Sequence, residues 1–384
     1  MAGMVAVSPL LLLFALAFLV SVDARILAPV LPSIASSLQS TPGTVGLAMT
    51  SYALSYGTGQ LAYGPLSDRL GRIAVVRAAG LGFVFCSVLS AVAHTPAQFI
   101  AFRLLAGVFA GAVIPLTLVY IGDTVEYARR QTMIGRFSVV SSLALALSAS
   151  IGGAIAHFVS WRVMLSGYGL LALLPVGLMW RLGPQRPPTP PATTARFGAF
   201  LRDGRAQMVY LAVFLEGALM WGGMTYLGAF GVQRYGLDQF SVGLLLALFG
   251  VGIMLGGALM AWIRRRWSEN GLAAGGGGLM AAAFLLLVPR WGVAVFAGSL
   301  FVMGVGFVCL HTTLQLRGTE ISPAARGKAF ALFAFSLFVG IAAGTAALGL
   351  LVDAGRYELL FVVAGLGLVA VGLATAAAGR RQHG

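Results

Sequence analysis

Charged residues are scarce in this chain. Only 9% of its 384 residues are Asp, Glu, Lys or Arg, whereas about 25% is usual in soluble proteins. Hydrophobic residues make up 59% of the sequence, a surplus that one water-exposed fold cannot bury. No hydrophilic segment is long enough to form a separate soluble domain. The sequence therefore predicts an all-α, polytopic membrane protein, and its 52 glycines agree with close helix packing in lipid.

Several chemical signatures are also missing. The chain has no Gly-x-x-x-x-Gly-Lys-Ser/Thr phosphate-binding loop, and its single lysine, Lys328, has the wrong neighbours for one. An ion gradient is therefore the expected energy source, not ATP. Cys86 and Cys309 each lie in an apolar stretch and are expected to be buried thiols without a disulfide or metal. No nucleophile elbow or His-Glu-x-x-His motif occurs, so we predict neither an enzyme nor a cofactor.

Twelve apolar segments follow one another along the chain. Hydrocarbon cannot satisfy bare backbone groups, so each segment should be a spanning helix. The first segment has no cationic region before it and no small-residue cleavage site that would end a short apolar region. We therefore interpret it as a spanning helix and not as a removed signal peptide. The predicted segments are residues 9–35, 45–64, 73–93, 97–120, 132–157, 162–182, 206–231, 239–263, 272–289, 291–315, 327–351 and 355–378.

Positive charge is distributed unevenly between the connections. If the N-terminus is cytoplasmic, 19 of the 25 Lys and Arg residues lie on the cytoplasmic side and 4 on the opposite side. The remaining two, Arg25 and Arg103, lie inside helices. This asymmetry predicts a bacterial-type inner-membrane protein with both termini in the cytoplasm. The arginines form short clusters between segments, so the net charge of +14 does not indicate nucleic-acid binding.

A polar, proline-rich connection separates the sixth and seventh segments. Residues 183–205 contain five prolines and several arginines. They divide a first half, residues 1–182, from a second half, residues 206–384. A glycine-rich helix, a short turn with an arginine and another apolar helix recur at residues 136–176 and 326–371. Such a repeat is expected of transporters built from two related halves.

The connection between the second and third segments holds three charges, two glycines and a proline in residues 64–72. Its sequence, Gly-Pro-Leu-Ser-Asp-Arg-Leu-Gly-Arg, resembles the Gly-x-Leu-x-Asp-Arg-x-Gly-Arg signature loop between helices 2 and 3 of the major facilitator superfamily. The resemblance implies twelve transmembrane helices in two pseudo-symmetric six-helix halves. It also implies that Asp68 acts as part of a conformational gate.

The physical chemistry of these residues is consistent with a gate. An aspartate at a helix end can accept hydrogen bonds from a neighbouring helix N-terminus or pair with arginines below the fourth helix. Such contacts form in one global state and break in the other. The matching connection of the second half, residues 262–271, has no aspartate, so the gate should be one-sided. Charges that only anchor topology are the alternative. The predicted gate residues are Gly64, Asp68, Arg69, Gly71, Arg72, Arg129 and Arg130.

Two ionisable residues lie at membrane depth in the first half. Asp23 precedes a Pro29-x-x-Pro32 ending that should bend the helix, and this pattern resembles helix 1 of the drug-efflux branch of the family. Arg103 opens an Arg-x-x-x-Gly-x-x-x-Gly pattern similar to helix 4 of the family. At about 1.5 Å rise per residue the two lie at similar depths. We predict that they interact and that protonation of Asp23 weakens the contact; a structural ion pair of Asp23 with Arg25 or Arg103 is the alternative.

The second half offers one buried acid and several aromatic residues. Glu216 is predicted to be a second proton site facing Asp23, or else a neutral, hydrogen-bonded acid. His311 and Gln315 share one face of the tenth segment, where a structural histidine is expected. Residues with aromatic or amphipathic side chains are predicted to contact the substrate: Tyr52, Tyr56, Gln60, Trp221, Tyr226 and Phe249.

These features favour a monomeric secondary transporter, surrounded by membrane lipids, that exports small amphiphilic molecules in exchange for protons. The fifth helix departs from the family antiporters, because Ser148-Ala149 stands where they often carry Gly-Pro two residues before a Gly-Gly pair. A proton symporter or uniporter for a sugar, an amino acid or an organic acid is therefore the alternative. A membrane-embedded enzyme would need clustered His, Asp or Cys at one interface, which the sequence lacks.

Overall fold

The computed structural model describes residues 8–182, 202–289, 291–322 and 326–380. All regular secondary structure in these ranges is helical and forms twelve segments, α1 to α12, one for each predicted span. Ten of them are long and apolar enough to cross a membrane, whereas α2 is more polar and α9 has only 17 residues. In chain order the segments are Pro9–Ser37, Pro42–Leu70, Arg72–Ala91, Pro96–Thr124, Tyr127–Phe158, Trp161–Met179, Gly204–Tyr235, Gln239–Arg264, Glu269–Leu285, Val293–Glu320, Arg326–Asp353 and Tyr357–Arg380.

Helix α1 is broken where its prolines predict a bend. Its first part ends at Ile26, a 3₁₀ turn follows at Ala28–Val30, and a short helix then runs to Ser37. Proline has no backbone N–H and cannot donate the hydrogen bond that would continue the helix. The bend therefore begins one turn beyond Asp23.

Helix α2 extends further than the sequence predicts. The predicted end at position 64 is wrong, because the helix continues to Leu70 and contains Pro65. Neighbouring helices can satisfy the backbone groups that a proline leaves free in a transmembrane helix. Gly71 alone separates α2 from α3, and its φ of 90° is a conformation that favours glycine. Most of the signature sequence therefore lies on a helix and not in a loop.

Helix α7 changes its hydrogen-bond pattern near its middle. An α-helix over Gly204–Glu216 is followed directly by a π-helical turn over Gly217–Trp221. Such turns are rare and are found most often at functional sites. The connection predicted at 183–205 lies largely outside the described residues, and its last two residues belong to α7. The boundaries of the two halves therefore stay a prediction.

The first six and the last six helices meet tightly at one end of the bundle, here called the closed end. Asp353 of α11 accepts hydrogen bonds from the Thr41 hydroxyl and the Gly43 N–H, both at 2.8 Å. Nearby, Gly153 of α5 and Gly243 of α8 bring the two backbones into direct contact. The other end carries residues 64–72 and most of the described arginines; we call it the arginine-rich end.

Packing of α8 against α10 depends on glycine. A Cβ atom on Gly252 would overlap the carbonyl oxygen of Phe301, whereas nothing lies within 4 Å of a Cβ on Gly257 of the same helix. Because overpacking a tight interface costs about 1–3 kcal/mol, we expect Gly252→Leu to lower the melting temperature of the protein in detergent. Gly257→Leu is the matched control and should leave it nearly unchanged. Equal melting temperatures for the two variants would contradict this packing.

Candidate functional site

A large cavity lies at the arginine-rich end, between the first and last six helices. Its volume is about 790 Å³, within the range typical of ligand sites. Helices α4 and α5 form one wall, and α8 to α11 form the other, with the charged residues Arg264 of α8 and Glu269 of α9 at its edge. The walls combine apolar side chains with a few hydroxyl and amide groups, represented by Leu118, Phe137, Ser141, Met260, Thr312 and Gln315.

The route toward the closed end is blocked by Tyr226. Its side chain is buried, its hydroxyl donates a hydrogen bond of 2.7 Å to the Thr345 carbonyl, and it packs against Gly46 of α2 and Gly349 of α11. The residue joins helices of the two halves. Tyr226 is therefore buried between the halves in this conformation, and its role as a substrate-contacting residue stays a prediction.

Asp23 and Arg103 lie side by side in the middle of the first half. Asp23 Oδ1 is 2.7 Å from Arg103 Nη1, and both side chains are almost completely buried. The sequence predicts this contact from helix depth alone. Its role in proton coupling stays a prediction.

Two tyrosines complete the network around this pair. The Tyr168 hydroxyl of α6 donates to Asp23 Oδ1 and lies 3.3 Å from Arg103 Nη1. The Tyr52 ring faces the Arg103 guanidinium at 4.3 Å, a cation–π distance. Tyr168 is absent from the predicted site, because no sequence spacing relates a tyrosine of the sixth segment to Asp23.

Arg103 depends on Asp23 for its counter-charge. Removing one partner of a buried ion pair costs about 3–5 kcal/mol, because the other charge is left uncompensated. Protonation of Asp23 would leave the Arg103 guanidinium in that state. A rearrangement that hydrates or re-pairs Arg103 would then become favourable, which is the behaviour that a proton-driven transition needs.

Arg25 lies one helical half-turn from Asp23 and points to the second half. Its guanidinium carbon is 3.6 Å from the centre of the Trp221 ring on α7. Two small cavities, of about 30 and 20 Å³, border its side chain. Asp23 and Tyr52 line the first, and Trp221 and Phe249 line the second. The structure thus brings three of the predicted substrate residues around Arg25.

The remaining predicted substrate residues lie on α2. The Tyr56 ring centre is 4.5 Å from that of Phe338 on α11, so this face contacts the second half in the present conformation. Gln60 follows one turn later and is partly exposed. Neither residue belongs to the two cavities beside Arg25.

Glu216 faces α10 and not Asp23. Its Oε2 atom is 2.8 Å from His311 Nδ1, Glu216 is fully buried, and the His311 side chain is 12% exposed. The imidazole stacks on Phe307 at 4.7 Å. The cavity beside Asp23 is lined by α1, α2, α4 and α11, so the predicted position of Glu216 opposite Asp23 is corrected. The adjacent Thr312 lines the large cavity, which places the pair beside it.

Arg72, the last residue of the signature sequence, forms two ion pairs. Its Nη1 atom is 2.6 Å from Asp68 Oδ1, and its Nε atom is 3.0 Å from Asp123 Oδ2 at the end of α4. These bonds connect α2, α3 and α4. Asp123 is absent from the predicted site, because nothing in the sequence places the end of α4 beside residue 72.

The other predicted gate residues are arranged differently. Arg129 and Arg69 are exposed, and Arg130 Nε donates a hydrogen bond of 2.8 Å to the Val125 carbonyl. Asp68 therefore pairs with Arg72 in this conformation and not with Arg129 or Arg130. The gate stays a prediction for a state in which the arginine-rich end is closed.

The second half carries a comparable ion pair with its charges exchanged. Glu269 opens α9 and its Oε1 atom is 2.7 Å from Arg317 Nε on α10. The arginine also donates to Asn270 Oδ1 at 2.8 Å. Residues 262–271 lack an aspartate, but Glu269 supplies an acid there. The predicted asymmetry between the halves is therefore one of charge order and not of charge itself.

Asp68 and Asp123 share one arginine, so their contributions to stability should be coupled. Replacing either by asparagine is expected to lower the melting temperature. Either aspartate can still pair with Arg72 when the other is replaced. The loss of stability in the double variant should therefore differ from the sum of the two single losses, by an interaction energy of about 0.5–1 kcal/mol. Thermal unfolding of the four proteins in detergent measures this. Additive losses would show that the two ion pairs act independently.

Comparison with known proteins supports one assignment. A probable sugar efflux transporter from Helicobacter pylori is 28% identical over 348 residues, covering 89% of this chain and 88% of that protein. A chloramphenicol resistance protein from Pseudomonas aeruginosa is 26% identical over 289 residues, covering 72% and 68%. The crystal structure of a bacterial homolog of the human lysosomal transporter Spinster, inward-facing and unoccupied, superimposes with a TM-score of 0.81 at 15% identity, covering 97% and 96%. A sequence profile of the Major Facilitator Superfamily matches residues 13–324, and the chain therefore belongs to this superfamily of transporters.

Proposed function

We propose that this protein is a monomeric, proton-coupled exporter of small molecules that works by alternating access in a bacterial-type cytoplasmic membrane. The observation that carries the proposal is the buried Asp23–Arg103–Tyr168 network, which lies where protonation would unbalance charge inside the membrane. Two relatives in the same superfamily are named for sugar efflux and chloramphenicol resistance.

Charge distribution supports the orientation. The arginine-rich end belongs in the cytoplasm by the positive-inside rule, together with both termini. The large cavity would then open to the cytoplasm, and Tyr226 and Asp353 would close the outer face. This arrangement suits the loading of a substrate from inside the cell.

The proposed cycle uses Asp23 as the proton carrier. A substrate enters the large cavity while Asp23 is ionised and paired with Arg103. The arginine-rich end then closes, the outer contacts of Asp353 and Tyr226 break, and the substrate leaves. A proton from outside neutralises Asp23 and releases Arg103, which favours the return to the present conformation. Loss of that proton to the cytoplasm restores the ion pair.

A symporter or uniporter for a metabolite is the second candidate, and one contact favours it. Ser148, at the position where family antiporters often carry glycine, donates a 2.6 Å hydrogen bond to the Val22 carbonyl. The bond joins α5 to α1 next to Asp23. Transport polarity in inverted vesicles with an imposed pH gradient separates the two candidates, because an exporter accumulates substrate in the acidified lumen and a symporter does not.

Asp23→Asn should abolish proton coupling. Asparagine cannot ionise, so the pH gradient would have no carboxylate on which to act. In inverted vesicles with an acidified lumen, we expect the wild type to accumulate labelled chloramphenicol or a labelled sugar. The variant should lose the fraction of this uptake that depends on the pH gradient. Glu358→Gln, which alters an exposed acid at the closed end, is the control. Undiminished gradient-driven uptake by Asp23→Asn would exclude Asp23 as the carrier.

The Glu216–His311 pair should tune transport as a unit. Glu216→Gln removes the ionisable partner of His311, and His311→Gln removes the partner of Glu216. We expect each variant to keep gradient-driven uptake and to change how that uptake depends on pH. Uptake measured from about pH 5.5 to 8.5 tests this, because histidine titrates in that interval. Unchanged pH profiles would indicate a purely structural pair, and loss of coupling in Glu216→Gln would transfer the carrier role to that residue.

A further inference from the structure

Arg25 is a cation in the membrane interior without a counter-charge. The structure gives its guanidinium no acid and no hydrogen-bond acceptor among the described residues, only the face of Trp221 at 3.6 Å. Charged side chains at this depth are rare and either pair with one another or face a cavity that serves substrates or ions. Arg25 is partly exposed, and its side chain borders two cavities.

Arg25 has no acid as an ion-pair partner among the described residues of the membrane interior. Asp23 lies in the same cavity as Arg25, but its charge is compensated by Arg103 at 2.7 Å. Glu216 is held by His311 within the second half. Each of these acids therefore has one oxygen in an ion pair away from Arg25, while Asp23 Oδ2 and Glu216 Oε1 are buried without a partner. The Arg25 guanidinium has a planar fork of donors that meets no acceptor among the described residues, a geometry that matches carboxylates.

A second polar group beside Arg25 also lacks a partner. The Tyr52 hydroxyl is buried, lines the same 30 Å³ cavity and makes no hydrogen bond within the described chain. A buried hydroxyl without a partner is costly. Arg25 and Tyr52 therefore present donors to one small space in the present conformation.

The 20 Å³ cavity, which also borders Arg25, lies one helical turn from the large cavity along α5. Leu145 of α5 lines the 20 Å³ cavity, and Ser141 and Ser142, one turn away, line the large one. Met49 borders both small cavities, and methionine is a flexible side chain that can move to join them. Each small cavity now has room for about one water molecule, so a ligand would place a small polar group there and extend its remainder toward the large cavity.

We propose that Arg25 and Tyr52 bind the carboxylate of a small organic anion and that such anions are the transported substrates. The proposal rests on the proposed transport function and specifies its substrate class. It differs from the amphiphilic or weakly cationic cargo that apolar walls alone would favour, because an arginine without a counter-charge repels cations. Trp221 holds the Arg25 side chain toward the second half, so the anion would be bound where the two halves meet.

Matched pairs of probes test the charge requirement in the full-length wild-type protein. Benzoate is compared with benzamide, and glucuronate with glucuronamide, by binding-induced thermal stabilisation in nanodiscs at neutral pH. Each pair has nearly the same shape, and only one member is an anion. We expect at least one carboxylate to bind roughly tenfold or more tightly than its amide, as is typical for a charge-assisted hydrogen bond. Equal binding within every pair, or stabilisation by no carboxylate, would overturn the proposal.

Variants then locate the site. Arg25→Gln should abolish the preference for the carboxylate, Arg25→Lys should retain part of it, and Tyr52→Phe should weaken it less than Arg25→Gln. Arg77→Gln is the matched control, because Arg77 also stacks on a tryptophan, Trp180, but lies on α3 away from the centre. Unaltered preference in a folded Arg25→Gln protein would overturn the assignment. If Arg25→Gln does not fold, the carboxylate-to-amide preference of Arg25→Lys is compared with that of the wild type, and an equal preference would overturn the assignment.

The two proposals can fail separately. If carboxylates bind through Arg25 but are not accumulated in inverted vesicles, the export function fails and the anion site stands. If neutral sugars or chloramphenicol are exported with proton coupling and Arg25→Gln leaves their uptake unchanged, export stands and the anion site fails.

Discussion

The structure depends on how a membrane protein accommodates charges that hydrocarbon cannot solvate. A buried charge needs a partner or a cavity to face, and the partners of Asp23 and Glu216 come from other helices. Asp23 of α1 is held by α4 and α6, and Glu216 of α7 by α10. These bonds tie together helices that are distant in the chain. The same constraint makes them sensitive to protonation, because a change of one charge alters the stability of the whole contact.

The ion pairs at the arginine-rich end extend this principle to the internal repeat. In the first half an arginine at the start of α3 binds an acid at the end of α4, and in the second half an acid at the start of α9 binds an arginine near the end of α10. If the halves correspond helix by helix, the two pairs occupy equivalent places with opposite polarity. The electrostatic contact is maintained although the residues are exchanged. A comparison of residue types alone therefore misses the equivalence.

Contact between the halves is made by small residues at the closed end and by aromatic residues nearer the centre. Glycines on α5 and α8 permit backbone contact, and Tyr226 packs against glycines of α2 and α11. Such close, side-chain-poor surfaces can separate without exposing large charged groups, which suits an interface that opens during transport. Arg25 of the first half and Trp221 of the second half meet at this central contact.

Local properties of the sequence determined the number of spans, the bend in α1 and the pairing of Asp23 with Arg103. Hydropathy, the missing N–H of proline and the fixed rise of a helix are sufficient for these. The sequence did not reveal that α2 continues through Pro65, nor that Tyr168, His311 and Asp123 hold the buried and terminal charges. Helices that are apolar on all sides carry little periodic signal for their rotation about their own axes. Which side chains face one another is therefore decided only when the helices pack, and so is the absence of a counter-charge for Arg25.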